Sequence, residues 1–228
     1  MACPSVWVVI PAYNEASAAA SVLRELLDCN PSYNIVVVDD GSSDGTAAVA
    51  AGFPVHVLVH PVNLGQGAAL ATGIEYALKK KAQIVVTFDA DGQMCPQDIG
   101  SLVKEVTDGG VDVTLGSRFL ALQPAAMPRM KKMLLKLATV LTKLSTGLKV
   151  TDTHNGIRAF RAEALRKIVL TQNRMAHASE ILSEIARNKL VYREVPVSIR
   201  YTQYSKAKGQ SIFNSVNILF ELFTGGTK

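Results

Sequence analysis

Short apolar runs alternate with longer amphipathic stretches along the first half of the chain. The runs are rich in Val and Ile, a composition typical of strands that are buried on both faces. The predicted strands are Val6–Ile10, Ile35–Val38, Val55–Val59, Ile84–Phe88 and Val111–Leu115. The predicted helices are Glu15–Cys29 with Asn14 as its cap, one from Thr46 to Ala51, one from the Asn63–Ala69 segment to about Lys81, and Pro96–Thr107. This alternation predicts an α/β domain in which helices cover both faces of a mostly parallel, twisted sheet.

The pattern changes after residue 120. Residues 121–128 contain two prolines and predict a loop, and apolar residues then recur at helical spacing from Arg129 to about Leu148. Further helices are predicted at Arg161–Val169, around Ser179–Arg187 and at Ser211–Phe223. Val191–Tyr201 is predicted to be a late strand, and it is placed at an edge of the sheet because Pro196 has no N–H to donate.

Polar and acidic segments follow several of the predicted strands. Pro11–Glu15 follows the first strand, Asp39–Asp44 the second and Asp89–Gln93 the fourth, while Arg118 follows the fifth. In open α/β sheets, ligands bind beyond the carboxyl ends of the strands. We therefore expect these segments to converge on one ligand-binding cleft.

Asp89-Ala90-Asp91, with Gln93 close behind, has the spacing of a metal-binding segment. Two carboxylates one residue apart at the end of a strand can contact one hard cation from the same side. Mg²⁺ and Mn²⁺ prefer oxygen ligands and keep positions open for phosphate oxygens. The segment thus predicts a metal–diphosphate site, and the alternative is a plain polar turn, in which Asp and Gly are common.

The formal charge of +5 is concentrated in one segment, residues 129–149, which has no acidic residue. Its basic residues are Arg129, Lys131, Lys132, Lys136, Lys143 and Lys149. A basic amphipathic helix is typical of a membrane surface, and the alternative is a helix that faces the core with a solvated cationic side. The segment has no aromatic residue to stack on bases, which disfavours nucleic acid as a partner.

Cysteine content and hydropathy indicate a cytoplasmic protein. The three cysteines are not spaced as Cys-x-x-Cys, which argues against a disulfide framework and fits a reducing compartment. No signal-peptide pattern is present, and no apolar run reaches the ~18–20 residues that a membrane span needs. We expect a protein that contacts the inner face of the membrane peripherally.

Six ordered segments together resemble the inverting glycosyltransferases of family 2, and within them the polyprenyl-phosphate glycosyltransferases. They are Pro11–Glu15, Asp39–Thr46, Asn63–Ala69, Asp89–Pro96, Gly116–Arg118 and Thr151–Phe160. The resemblance implies a single GT-A domain over residues 1–228, with a Rossmann-like nucleotide-sugar-binding half (1–120). It also implies an acceptor-binding half (121–210) and a short amphipathic C-terminal helix (211–228).

The resemblance also implies roles for individual residues. The nucleoside would be held by Pro11, Ala12, Tyr13, Glu15 and Asp40. The Asp89-Ala90-Asp91 segment and Gln93 would hold the donor diphosphate and the Mg²⁺ or Mn²⁺ ion that bridges it. Asp152 would orient the transferred sugar, Arg118 and Arg129 would meet the acceptor phosphate or the donor diphosphate, and Arg200 and Lys206 would close over the phosphates.

The acceptor is open between a phosphate monoester and a sugar hydroxyl. A monoester with a second pKa of about 6 is ionised at neutral pH and needs no strong base, whereas a hydroxyl needs a carboxylate base, for which Asp152 and Glu180 are the candidates. Members of the family that act processively on hydroxyls carry Gln-x-x-Arg-Trp, which is absent here because the only tryptophan is Trp7. The sequence favours a polyprenyl phosphate.

The chain departs from the family pattern at some positions, and two further possibilities concern its partners and its catalysis. The polyprenyl-phosphate branch often has His and Phe at the positions of Met94 and Ile157, and the segment 173–180 is also unusual. Other members carry C-terminal membrane helices, and a small separate membrane protein would supply that anchor here. A non-catalytic subunit that binds nucleotide sugars is the remaining alternative.

Overall fold

The computed structural model describes residues 4–121 and 129–200. The strands are β1 (Val6–Ala12), β2 (Asn34–Asp39), β3 (His56–Val59), β4 (Ile84–Thr87), β5 (Val113–Ser117), β6 (Arg158–Arg161) and β7 (Tyr192–Pro196). The helices are α1 (Ala16–Cys29), α2 (Thr46–Ala51), α3 (Gln66–Lys79), α4 (Asp98–Thr107), α5 (Arg129–Thr146), α6 (Ala162–Leu165) and α7 (His177–Arg187). The predicted C-terminal helix at Ser211–Phe223 lies outside the described residues.

The strands form one seven-stranded sheet in the order β3-β2-β1-β4-β6-β5-β7. Strands β1 to β4 are mutually parallel, and β5 pairs in parallel with β7. Strand β6 runs antiparallel between β4 and β5. The prediction of a mostly parallel α/β sheet is confirmed, as is the placement of the last strand at the edge. The sequence analysis missed β6, because the short run Arg158–Arg161 begins and ends with a charge.

Both faces of the sheet are buried, as the Val- and Ile-rich strands predict. Along β1, Val8 and Ile10 face a core formed with α1 and α4, whereas Trp7 and Val9 face a second core formed with α3 and α7. This division follows from the two-residue period of a strand. The helical layers thus cover both faces of β1, β2, β4 and β5, whereas the edge strand β3 is partly exposed.

Two predicted boundaries were wrong. Helix α1 begins at Ala16, and Asn14 does not cap it but adopts a left-handed conformation with a φ of 53°. The Ala16 N–H instead donates to Asp44 Oδ2 at 2.9 Å, from the loop after β2. Helix α6 ends at Leu165, so the predicted helix Arg161–Val169 is much shorter than expected.

Helix α5 packs against α7 but leaves an apolar stripe uncovered among the described residues. Ala138 and Thr142 are buried, whereas one side of the helix carries the exposed residues Met133, Leu137, Val140 and Leu144. The exposed side of this helix is therefore apolar as well as cationic, which differs from a core-facing helix with a purely cationic solvated side. In the described part of the chain, every helix is too short or too polar to span a bilayer.

Candidate active site

A cleft of about 650 Å³ opens at the carboxyl ends of β1, β2 and β4. Most of the residues predicted to bind the donor line it: Pro11, Ala12, Tyr13, Glu15, Asp40, Asp89, Ala90, Asp91 and Gln93. The structure therefore brings together three segments that are up to about 80 residues apart in the sequence. Their convergence follows from the parallel arrangement of β1, β2 and β4.

The loops after β1 and β2 interlock through hydrogen bonds. The Asn14 N–H donates to Ser42 Oγ and the Ser43 N–H donates to Asn14 Oδ1, each at 2.9 Å. The Glu15 N–H donates to Thr46 Oγ1, also at 2.9 Å. These bonds hold Tyr13 and Glu15 at the wall of the cleft.

Asp40 positions the loop that leads into α3. Its Oδ2 accepts the Gly65 N–H at 2.7 Å, and its Oδ1 accepts the Leu64 N–H at 3.0 Å. The Nδ1 atom of His60 lies 2.8 Å from the same Oδ1. Asp40 lines the cleft as predicted, but its carboxylate also ties β2 to the start of α3.

Asp89 is an acid of the site whose pKa is strongly raised. Burial, followed by the nearby charge of Asp91, raises the pKa of Asp89 to about 7, while Arg158 and Arg118 oppose the rise. Its Oδ1 accepts a hydrogen bond from Gln66 Nε2 at 3.0 Å. Two carboxylates held this close disfavour each other's ionisation, and a cation between them would remove that conflict.

The side chains of Asp89 and Met94 fill the space beside Gly156. A Cβ atom on Gly156 would lie 2.4 Å from Asp89 Oδ2 and 2.7 Å from Met94 Cε. The Asp89 N–H also contacts Met94 Sδ at 3.3 Å. Gly156 is therefore part of the site, because the Asp89 carboxylate occupies the space of its missing side chain.

The donor set fits a divalent ion that also binds phosphate. Asp91 Oδ1 accepts the Gln93 N–H at 2.9 Å, which fixes the turn after β4. Within residues 4–121 and 129–200, no three acidic, His or Cys side chains cluster as a complete metal cage. Mg²⁺ is commonly held by one or two carboxylates together with substrate phosphates. Asp89 and Asp91 supply such a pair, with Gln93 beside them.

Arg158 is a buried cation behind Asp89 that the sequence analysis missed. Its Nε donates to the Asn155 carbonyl at 3.1 Å and its Nη2 to the Thr153 carbonyl at 3.2 Å. Burial lowers the pKa of Arg158 to about 10, against the pull of Asp152 and Asp89, so it stays protonated at neutral pH. Its positive charge offsets the negative charges of Asp152 and Asp89.

Arg118 and Asp152 form an ion pair next to this cluster. Arg118 Nε donates to Asp152 Oδ2 at 2.6 Å, and Arg118 Nη2 donates to the His154 carbonyl at 3.1 Å. The Asp152 side chain is fully buried, and neither residue lines the cleft. Of the three residues predicted to be catalytic, Arg118 and Asp152 are thus adjacent to each other and behind the donor cleft, whereas Asp91 lines it.

Of the remaining predicted residues, Glu180 and Arg200 do not line the cleft. The Glu180 carboxylate accepts the N–H groups of Thr171 and Gln172 at 2.9 and 3.0 Å. Arg200 Nη1 donates to Glu25 Oε2 at 2.6 Å, on α1. Arg129 begins α5 and its side chain is not described, and Lys206 lies outside the described residues.

The loop before α7 closes the cleft from the other side, which the sequence analysis did not predict. The Asn173 carbonyl accepts the Gly67 and Ala68 N–H groups at 2.8 and 3.2 Å, at the start of α3. A Cβ atom on Gly67 would lie 2.0 Å from the Gln172 carbonyl oxygen, so only glycine permits this approach. The contact places Arg174 at the cleft. In the sequence, the paired glycines of the Asn63–Ala69 segment are the signal for this close approach.

An α/β sheet whose strand ends carry paired carboxylates in a nucleotide-sized cleft is typical of enzymes that bind nucleotides through metal-bound phosphates. Comparison with known families makes this more specific. The model of glycosyl transferase family 2 matches residues 7–169. The chain belongs to this family and is a glycosyltransferase.

Two relatives and one solved structure illustrate the similarity. The UDP-N-acetylglucosamine–dolichyl-phosphate N-acetylglucosaminyltransferase of Methanococcus voltae is 33% identical over 242 residues, covering 97% of this chain and 96% of its own. The polyprenol monophosphomannose synthase of Mycolicibacterium smegmatis is 33% identical over 174 residues, covering 72% and 64%. Glucosyl-3-phosphoglycerate synthase from Mycobacterium tuberculosis, in complex with Mn²⁺, UDP and glucosyl-3-phosphoglycerate, superposes with a TM-score of 0.69 at 20% identity, covering 97% and 79%. That likeness confirms the GT-A-like fold.

Proposed function

We propose that this chain is an inverting, metal-dependent glycosyltransferase that moves a sugar from a nucleotide-sugar donor to a polyprenyl phosphate at the cytoplasmic face of the membrane. The observation that carries the proposal is the single cleft lined by Asp40, Glu15, Asp89 and Asp91. In it, the nucleoside lies against the interlocked loops after β1 and β2, and the diphosphate extends toward Asp91.

Asp89, Asp91 and Gln93 hold the ion in this proposal. Mg²⁺ or Mn²⁺ bound there neutralises the charge that accumulates on the departing nucleoside diphosphate. The structural neighbour that was solved with Mn²⁺ and UDP supports this assignment. Gln66 and Gly156 keep Asp89 in place, and Arg174 adds a positive charge to the cleft wall.

A lipid phosphate suits this site better than a sugar hydroxyl. Of the two candidate bases for a hydroxyl, Glu180 accepts bonds from Thr171 and Gln172, and Asp152 pairs with Arg118 through Oδ2, which leaves only its buried Oδ1 without a partner among the described residues. An ionised phosphate needs no base, because its second pKa of about 6 leaves it charged at neutral pH. The names of the two curated relatives, which act on dolichyl phosphate and produce a polyprenol monophosphate sugar, also support a lipid phosphate. Arg118 and Arg129 are the residues proposed to meet it.

Helix α5 supports contact with a membrane. Its exposed apolar stripe lies beside the exposed residues Lys136 and Lys143, and Lys149 follows the helix. An apolar surface flanked by lysines matches an anionic bilayer, where the side chains enter the interface and the charges meet the headgroups. The acceptor phosphate would then reach the protein from this side.

Transfer is tested by incubating the protein with Mn²⁺, undecaprenyl phosphate and a panel of nucleotide sugars, with glycolipid detected by mass. We expect one donor to give a glycosyl phosphate lipid, and Asp91→Asn to abolish it. Product on an added sugar hydroxyl instead would assign the other acceptor class. Metal-dependent nucleotide binding with no product from any donor would contradict the enzymatic proposal and indicate a binding subunit.

A further inference from the structure

Glu194, on the edge strand β7, holds the turn that carries Asp152. Its Oε1 atom accepts three hydrogen bonds, from the Thr151 N–H at 2.7 Å, from Thr151 Oγ1 at 3.0 Å and from the Asp152 N–H at 3.2 Å. Its Oε2 atom accepts none from the described residues. Tyr192 lies two residues earlier on the same face of the strand, and its hydroxyl accepts the Lys149 N–H at 2.7 Å. Alternate residues of β7 therefore hold this segment of the chain.

The turn that Glu194 holds also fixes the end of β5. Because Thr151 Oγ1 donates its proton to Glu194, it accepts the hydroxyl proton of Ser117, whose Oγ lies 2.6 Å away. Asp152 Oδ2 accepts both the backbone N–H and the Nε–H of Arg118, at 3.1 and 2.6 Å. The two residues of the turn thus hold the last residue of β5 and the arginine that follows it.

These contacts hold the guanidinium group of Arg118 in one orientation. Nε donates to Asp152 Oδ2, and Nη2 donates to the His154 carbonyl at 3.1 Å. Nη1 donates to no described residue, and the side chain as a whole is 14% exposed. Arg118 is also near enough to Asp89 for its charge to lower the pKa of that acid. One nitrogen of a fixed cation is therefore left to bond an anion near Asp89.

We infer that Glu194 is a positioning residue for the acceptor phosphate, because it holds the Thr151–Asp152 turn so that Arg118 presents Nη1 to that phosphate. The inference rests on the proposed function, in which Arg118 meets a lipid phosphate. Since all three bonds go to Oε1, the role needs an acceptor oxygen at the correct reach and does not need a charge. Glutamine has that reach and can place its NH₂ group where Oε2 lies, whereas aspartate is one methylene too short.

The test measures the affinity for farnesyl phosphate, a short prenyl phosphate, by calorimetry with Mn²⁺ and a bound nucleoside diphosphate. The nucleotide is UDP or GDP, whichever binds, and its own affinity with Mn²⁺ reports on the donor cleft. We expect Glu194→Asp to weaken farnesyl phosphate binding about 10- to 100-fold, the range for one hydrogen bond to a charged group, with unchanged nucleotide affinity. Glu194→Gln should bind both ligands as the wild type does.

Two further variants separate positioning from a general loss of structure. Tyr192→Phe removes the neighbouring bond to Lys149, so it should lower the melting temperature without changing the affinity for farnesyl phosphate. In an Arg118→Ala background, Glu194→Asp should have no further effect on that affinity, because it acts through Arg118.

Several outcomes would overturn the inference alone while the wild type binds both ligands. They are wild-type affinity in Glu194→Asp, an equal loss in Glu194→Gln or Tyr192→Phe, and a further loss in the Arg118→Ala background. A wild type that binds the nucleotide but not farnesyl phosphate would overturn the inference together with the proposed acceptor. A wild type that binds neither UDP nor GDP with Mn²⁺ would contradict the proposed function and the inference with it.

Discussion

Burial, a second carboxylate and two arginines together determine the pKa of Asp89. Burial, and then the charge of Asp91, raises the pKa of Asp89, and Arg158 and Arg118 lower it. Its carboxylate is also held sterically, since Gly156 leaves the space that it fills. Small changes at position 156 should therefore act on metal and nucleotide binding through Asp89.

Gly156→Ala tests this steric role. The added Cβ would meet Asp89 Oδ2 at 2.4 Å, so Asp89 must move, and we expect Mn²⁺-dependent affinity for a nucleoside diphosphate to fall at least about tenfold. Overpacking should also cost about 1–3 kcal/mol of stability. Gly100→Ala is the control, because Gly100 is exposed on α4 with nothing near its Cβ position. It should keep full affinity and gain up to about 1 kcal/mol; unchanged binding in Gly156→Ala would refute the role.

His177 predicts a specific dependence of stability on pH. Burial lowers its pKa to about 4, below the usual value near 6.5. As the pH falls from 6.5 toward 4, the unfolded chain takes up a proton that the folded protein does not, so stability is lost by up to about 1.4 kcal/mol per pH unit. The stability of the wild type relative to His177→Gln, measured by urea denaturation, should therefore shrink as the pH falls from 7 to 5. A constant difference would contradict a buried neutral imidazole.

The contact between α3 and the loop before α7 shapes the far wall of the cleft. Asn173 caps the start of α3, and Glu180 ties Thr171 and Gln172 to the first turns of α7. Neither bond was predictable, since each joins segments whose local patterns give no indication of their partners. Strand β6 was missed because Arg158 and Arg161 are charged, and the backbone carbonyls that accept from their guanidinium groups lie elsewhere in the fold.

Glu180→Gln separates a structural role from a catalytic one. The amide keeps one acceptor oxygen but turns an NH₂ group toward backbone N–H donors, so we expect a loss of about 1–3 kcal/mol in the free energy of unfolding. Glu163→Gln, at the exposed position of the otherwise buried helix α6, should change stability by less than about 0.5 kcal/mol. If Glu180→Gln is as stable as the wild type but has lost transfer activity, Glu180 acts on the substrate directly.

At the scale of the whole molecule, the proposed function rests on two surfaces of the described residues, the donor cleft and the α5 stripe. The cleft was largely predictable, because parallel strands bring their carboxyl ends together and Asp40, Asp89 and Asp91 directly follow strands. What the sequence did not reveal was which predicted residues are engaged elsewhere. Arg118 and Asp152 neutralise each other behind the cleft, and Arg200 pairs with Glu25, because these contacts depend on tertiary packing.

The α5 stripe should govern attachment to membranes. Leu144 is 78% exposed and Leu137 47%, and burying each leucine in the lipid interface is worth about 1.5–3 kcal/mol at full burial. Leu137→Ser with Leu144→Ser should weaken binding to phosphatidylglycerol vesicles at least about tenfold in a sedimentation assay. The control is Val169→Ser with Val191→Ser, two residues each 55% exposed outside α5, and it should bind as the wild type does. Equal loss in both double variants would contradict a specific role for α5.

The most direct measurement is the anomalous diffraction of Mn²⁺ in crystals grown with Mn²⁺ and a nucleoside diphosphate. We expect one strong peak at the end of β4, within about 2.0–2.3 Å of a carboxylate oxygen of Asp91 and of a diphosphate oxygen. The nucleoside should lie between Tyr13 and the loop that Asp40 holds. A Mn²⁺ ion bound away from Asp89 and Asp91, or a diphosphate outside this cleft, would contradict the proposed site.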